Sequence, residues 1–116
     1  MNLVLCYAKC STCQKALKWL DEYGYNYSTR AIKEENPSKE EIIKWHNQSG
    51  LDIKKFFNTS GLIYKELKLS ERLNDMSLEE KYELLASDGM LVKRPLLITD
   101  KGVCPGFKEE IWKEIL

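Results

Sequence analysis

Leu3-Val4-Leu5-Cys6-Tyr7-Ala8-Lys9-Cys10-Ser11-Thr12-Cys13-Gln14-Lys15-Ala16-Leu17-Lys18-Trp19-Leu20 is the stretch that decides the fold. Residues 3–7 are a short continuous apolar run that meets a turn-like Ala8-Lys9, the pattern of a buried strand. Helix signals follow at once. Ser11 and Thr12 can cap, and Ala16, Leu17, Trp19, Leu20 and Tyr23 recur largely on one face before Gly24 ends the run. Beyond it, Tyr25, Tyr27 and Thr29 alternate with polar neighbours, which predicts a second strand over residues 25–32. Strand, cysteine turn, helix and strand make a βαβ unit, expected to be parallel and right-handed.

Outward from this unit the pattern turns helical. Pro37 lies just inside a helix expected to begin at Asn36 or Ser38, with Ile42, Ile43, Trp45 and His46 as its apolar stripe and Ser49-Gly50 as its stop. Ile53, Phe56 and Phe57 predict a short helix, and Leu62, Ile63, Leu67 and Leu69 another short element. Ser77-Leu78-Glu79-Glu80 has the form of a capping box, followed by Tyr82, Leu84, Leu85 and Ala86. Strand signals return at Leu96-Leu97-Ile98-Thr99 after Pro95, with Val103 and Cys104 as the return strand of a hairpin. A last helix over residues 108–115 is expected to turn Ile111, Trp112, Ile115 and Leu116 inward.

The chain has 116 residues, with 18 Lys+Arg against 18 Asp+Glu, and one globular domain is the expectation. A net charge of zero provides no long-range positive field, so broad electrostatic binding of nucleic acid is disfavoured. No apolar run approaches the roughly 18 residues of a membrane span, and the N-terminus has no basic flank or signal-peptide core. A cytoplasmic protein is expected. In a reducing compartment the four cysteines, Cys6, Cys10, Cys13 and Cys104, are not a permanent disulfide framework.

Cys10-Ser11-Thr12-Cys13 is a Cys-x-x-Cys motif at a strand-to-helix turn, and that context carries the chemistry. Unpaired backbone N–H groups and the positive end of the helix dipole stabilise an anion there. A free thiol titrates at about 8.5, and such sites commonly bring it to between about 3.5 and 7.5. Cys10 is thereby the expected nucleophile, and Cys13, one turn further in, the resolving thiol. Two other readings stand beside this one. The cysteines, with Cys104 or His46, could form a zinc site, although a second tight ligand pair is missing. They could also be small core residues, the better reading for Cys6. Cys104, beside the last turn of the sheet, is a minor candidate for a second redox contact.

The run from Tyr7 to Ala16 and then Trp19-Leu20 resembles the ArsC/Spx family of thioredoxin-fold proteins, which includes glutaredoxin-dependent arsenate reductases and the Spx transcriptional regulators. Gly50-Leu51, the run from Phe56 to Gly61, Tyr64-Lys65-Glu66-Leu67 and Lys93-Arg94-Pro95-Leu96 match the family in the same order, so the resemblance spans essentially the whole chain. It implies an α/β thioredoxin-like fold, a small mixed sheet formed by about residues 1–33 and 90–116, with a helical insertion at about 36–89. It also implies a cis bond before Pro95, shaping the site beside the active cysteine. Arg94 becomes the anion anchor, since a guanidinium offers a planar, permanently charged fork to an oxyanion or thiolate. Ser11 and Thr12 join it as anion-binding residues at the helix start. Asn58-Thr59-Ser60-Gly61 either lines the cleft or is an ordinary polar turn.

The arsenate reductases this chain resembles hold their oxyanion with three arginines. Arg94 matches one, while the other two positions fall near Asn58 and Gly106. Losing one preorganised oxyanion contact typically costs on the order of 10² to 10³ in rate. Lys9, Lys15 and Lys93 compensate only as point charges. Cys13 adds a second thiol where those reductases usually carry one, allowing an internal disulfide. The expectation is a thiol–disulfide redox protein acting on arsenate or a related substrate. It needs no metal or bound cofactor, is a monomer, and is served by glutathione and glutaredoxin or by a thioredoxin-type reductant. The alternative is an Spx-like redox-sensing regulator that binds the RNA polymerase alpha subunit through protein contacts. Gly50 lies where Spx proteins carry a glycine used in that contact, although a glycine after a helix is equally explained as its C-cap, and Spx proteins extend further with a basic tail.

Overall fold

The computed structural model describes all 116 residues. β1 (Leu3–Cys6) leads through the cysteine turn into α1 (Ser11–Glu22) and then β2 (Ser28–Ala31). A helical stretch follows: α2 (Lys39–Ser49), a 3-10 turn at Ile53–Phe56, α3 (Leu62–Glu66), α4 (Leu69–Arg72) and α5 (Leu78–Ser87). The chain then returns to the sheet as β3 (Leu96–Ile98) and β4 (Val103–Pro105) and closes with α6 (Glu109–Ile115).

The strands lie in the order β2-β1-β3-β4, with β1 parallel to β2 and antiparallel to β3, and β3 antiparallel to β4. This is the mixed sheet of a thioredoxin-like fold. Strand periodicity splits the core into two layers. Val4 faces Leu97, and Leu97 faces Cys104; this row points to α1 and α6, where Ala16, Trp19, Leu20 and Trp112 cover it. Leu5 and Leu96 point to the other face, into a larger cluster with Ile42, Trp45, Phe56, Phe57, Tyr82 and Leu85 from the helical stretch.

Three details differ from the sequence expectation. β2 begins at Ser28 rather than Tyr25, because β1 offers partners only from Leu3 onward and Leu3 pairs with Ser28. Tyr25 and Tyr27 instead pack beside α1, Tyr25 stacked on Trp19 with ring centroids 5.8 Å apart. Tyr23 and Ile111 are exposed rather than inward, since Trp19 and Trp112 already fill the space between α1 and α6. Ser11 and Thr12 do not cap α1: Cys10 is itself the N-cap residue and Ser11 the first helical one.

The helical stretch is held by its own local chemistry. α2 and α5 both start with complete capping boxes, Ser38 with Glu41 and Ser77 with Glu80. Gly50 ends α2 in the left-handed region at φ 68°, which an L side chain adopts only with strain. His46 joins the two helices, with Nδ1 2.5 Å from the Tyr82 hydroxyl and Nε2 2.8 Å from the Leu51 carbonyl oxygen. Each ring nitrogen therefore has a hydrogen-bond partner.

Candidate active site

The thiols are positioned by the turn between β1 and α1. Leaving the sheet at Cys6, the chain folds back so that the Cys10 N–H donates to the Tyr7 carbonyl at 3.0 Å, and the Gln14 N–H to the Cys10 carbonyl at 3.1 Å. The Gln14 side-chain amide donates to the Ala8 carbonyl at 2.8 Å and ties the turn to the helix. Cys10 is partly exposed and Cys13 buried. The Tyr7 N–H points at the Cys13 sulfur, 3.5 Å away.

The two thiols are driven apart in acidity. Burial alone would raise Cys10, but the Cys13 backbone N–H and thiol, the Arg94 guanidinium and the Thr12 N–H together hold it below the ordinary thiol value. These groups act as oriented dipoles and a fixed charge near the sulfur, since Cys10 closes no side-chain cap hydrogen bond with its helix. Cys13 is pushed up to about 12, first by burial; the Tyr7 N–H lowers it, and its hydrogen bond to Cys10 and the charges of Cys10 and Cys6 raise it further. The pair is therefore split, with Cys10 the more acidic thiol and Cys13 the one that keeps its proton at neutral pH.

Arg94 precedes a cis peptide bond to Pro95. Its guanidinium carbon lies 5.3 Å from the centre of the Tyr7 ring, and one NH group reaches the Met90 carbonyl at a long 3.3 Å. Its Nε is buried without a partner, and no carboxylate pairs with it. A buried, unsatisfied donor on a charged group is costly, and no carboxylate of the protein neutralises this one. Arg94 lines a cleft of about 480 Å³ with Asn58, Ser60, Gly61, Ile63 and Met90. Asn58, Ser60 and Gly61 thus form cleft wall, while Thr59 does not line it.

Other residues singled out by sequence fall in different places. Ser11 and Thr12 are exposed on the first turn of α1. Gly106 has φ 81°, and a Cβ there would meet Lys93 Cε at 3.3 Å, so its backbone disfavours an arginine. Lys9 and Lys15 are exposed around the turn and Lys93 is half-buried. Gly50 is exposed, with open space around the position of a Cβ. Cys6 is half-buried on the α1 face of the sheet, near enough that Cys10 raises its pKa after burial has done so. Cys104 is buried beneath Trp112, in the row with Val4 and Leu97, where burial raises its thiol and a redox contact with solvent is closed off. No group of three or more His, Cys, Asp or Glu side chains is placed to hold a metal ion. No helix is long and apolar enough to cross a membrane.

Sequence reasoning missed Tyr7. It both supplies an N–H to Cys13 and floors Arg94, and its place at the end of a strand carries no signal of either role.

Comparison with known proteins bears on the family and the fold. The model of the ArsC family matches residues 5–115. The uncharacterized protein YusI of Bacillus subtilis is 55% identical over 108 residues, covering 93% of this chain and 92% of that protein. The global transcriptional regulator Spx of Listeria monocytogenes is 29% identical over 101 residues, covering 87% of this chain and 76% of the regulator. Among solved structures, an ArsC family related protein from Bacteroides fragilis superposes with a TM-score of 0.96 at 53% identity, covering 99% and 97% of the two chains. An arsenate reductase from Vibrio cholerae superposes with a TM-score of 0.87 at 25% identity, covering 99% and 97%.

Proposed function

The chain belongs to the ArsC family, and from that premise we propose that it is a cytoplasmic, monomeric thiol–disulfide redox protein with Cys10 as nucleophile and Cys13 as resolving thiol. The observation that carries this reading is the split between the two thiols, one made more acidic beside an Arg94 with no carboxylate partner and one held protonated next to it.

The steps follow from that split. The Cys10 thiolate attacks one sulfur of a substrate disulfide, forming a mixed disulfide and expelling the other sulfur as a thiolate, which Arg94 stabilises. Once Cys10 is bonded, its negative charge and its hydrogen bond to Cys13 are gone. Two of the causes that hold Cys13 up vanish with them, while the Tyr7 N–H remains. Cys13 then loses its proton, attacks Cys10 Sγ and releases the substrate's remaining sulfur as a thiolate. The product is a Cys10–Cys13 disulfide, which two electrons from glutathione with glutaredoxin, or from a thioredoxin-type dithiol, return to the starting pair.

Arsenate is the substrate suggested by the family. Attack of the same thiolate on the arsenic centre would use Arg94 as an oxyanion contact, with Ser11 and Thr12 at the helix start and Pro95 shaping the wall. Asn58 and the glycine at 106 stand in place of two arginines of the reductases it resembles, which favours a disulfide or a less highly charged substrate over rapid arsenate turnover. Pairing the Cys10/Cys13 redox potential with an arsenate assay tests this. A potential near that of thioredoxins, roughly −270 mV, supports a reductase. Arsenate turnover that depends on Cys10 would restore arsenate as the main substrate, and a Cys10 pKa at or above the free-thiol value would end the proposal.

A second reading is favoured by the likeness to Spx and by Gly50, which sits exposed and unobstructed at the end of α2. Here the same dithiol would sense oxidation, and the protein would contact the RNA polymerase alpha subunit. Capture of that subunit, lost in Gly50→Arg and altered by oxidation, would promote this reading above the first.

A further inference from the structure

A second cleft, of about 490 Å³, lies between the 3-10 turn, the segment before Pro95 and the loop leading into α6, and four lysines line it: Lys54, Lys55, Lys93 and Lys108. The lysines come from three separate stretches of a chain whose total charge is zero. None of them belongs to any of the ion pairs in the protein. Asp52 is the one acidic residue on the wall, and its carboxylate already accepts the Lys54 N–H at 2.9 Å. Four unpaired ammonium groups around one concavity repel each other, and low-dielectric walls focus the resulting field.

The walls are tied together. Phe57 and Val92 form an antiparallel bridge, flanked by hydrogen bonds from the Lys93 N–H to the Phe56 carbonyl at 2.7 Å and from the Asn58 N–H to the Leu91 carbonyl at 2.8 Å. The Gly106 N–H donates to the Pro95 carbonyl at 2.8 Å and fixes the opposite wall. Phe57 and Val92 are both extended, so consecutive residues alternate sides. Asn58, Ser60 and Arg94 face the Arg94 cleft, whereas Phe57, Thr59 and Lys93 face the lysines. The two clefts therefore stand back to back across one bridged ridge, and the lysine cleft has a lining of its own.

We propose that this cleft binds a small polyanion, a molecule with at least two negative charges carried by carboxylates or a phosphate. Ammonium groups are strongly hydrated point charges on flexible stems and lack the planar fork that selects a single oxyanion. Four of them spaced around a cleft match separated charges better than one compact monoanion. The inference goes beyond the thiol chemistry and does not depend on which reaction Cys10 performs.

The test is a titration of the isotope-labelled, reduced protein at low salt with succinate, inorganic phosphate and acetate, following backbone amide shifts. Saturable shifts at Thr59, Lys93 and Lys108 are expected with succinate, phosphate or both, with acetate at least roughly tenfold weaker. Response to succinate assigns carboxylates as the ligand's charges, response to phosphate alone a phosphate group. Lys54→Gln/Lys108→Gln, both exposed and so harmless to folding, should weaken binding roughly tenfold or more. Lys33→Gln/Lys65→Gln changes net charge equally away from the cleft and should change affinity less than twofold. Equal weakening by both double variants, acetate binding as tightly as succinate, shifts confined to the Arg94 cleft, or no saturable shift with either dianion would each overturn the proposal.

Discussion

The helical stretch and the thiol turn both begin helices beside an arginine, and they use the same groups in opposite ways. At the start of α2, Ser38 and Glu41 satisfy the free N–H groups of the helix, and Glu41 also takes the fork of Arg30 at 2.7 and 3.0 Å. Arg30 adds bonds to the Glu35 and Asn36 carbonyls, so each nitrogen of its guanidinium is engaged. At the start of α1 no side chain caps the helix, no acidic residue lies in the first turn, and Arg94 has one long contact. Donors consumed in one region stabilise the fold. Left unconsumed in the other, they stabilise a thiolate.

That contrast can be broken most sharply at Cys10. Cys10→Ser should lower the rate of thiol–disulfide exchange by at least about 10³, because the serine hydroxyl is not ionised where the thiolate is. Its stability to urea should stay within about 0.5 kcal/mol of wild type or rise, because serine is a good N-cap. Cys13→Ser should still attack but accumulate the mixed disulfide, visible as a stable mass adduct. A Cys10→Ser protein that kept exchange activity would remove the functional half of the comparison.

The two arginines should separate next. Arg30→Ala is expected to cost about 2 kcal/mol in urea denaturation, since it strands Glu41 and empties a bidentate contact. Arg94→Ala should leave stability nearly unchanged and slow alkylation of Cys10 at pH 7 roughly three- to tenfold, by raising its pKa. Similar stability losses in both variants would mean that Arg94 is structural.

Acid titration reads the same contrast through Glu41, whose carboxyl is held at about 2 chiefly by Arg30 and then by the Ser38 N–H. Its pKa is depressed on folding, so its contribution is complete above the unfolded value, about 4.5, and is lost as pH falls towards 2. With the Glu41 side chain 36% exposed, solvent screening reduces the expected effect to about 1 kcal/mol. Denaturation midpoints of wild type and Glu41→Gln should therefore differ at pH 6 and converge near pH 2. The smallest effect is that of Ser38→Ala, about 1 kcal/mol or less, with no change in thiol reactivity.

Sequence alone determined the order of elements around the cysteines, the Ser77 capping box, the hairpin at the end and the place of Cys10 at a helix start, because each is written in neighbouring residues or in a short period. β2 was legible only approximately. Its first residue depends on where β1 can offer a partner, and the exposed, polar Ser28-Thr29 edge carries no strong pattern. The burial of Cys104 followed from register across three strands, which no local pattern encodes. Tyr7 under Arg94, the missing counter-ion of Arg94 and the gathering of Lys54, Lys55, Lys93 and Lys108 were decided by tertiary structure alone. Electrostatic meaning depends on distances between residues far apart in the chain. A lysine or an arginine reads the same in sequence whether a carboxylate stands beside it or not.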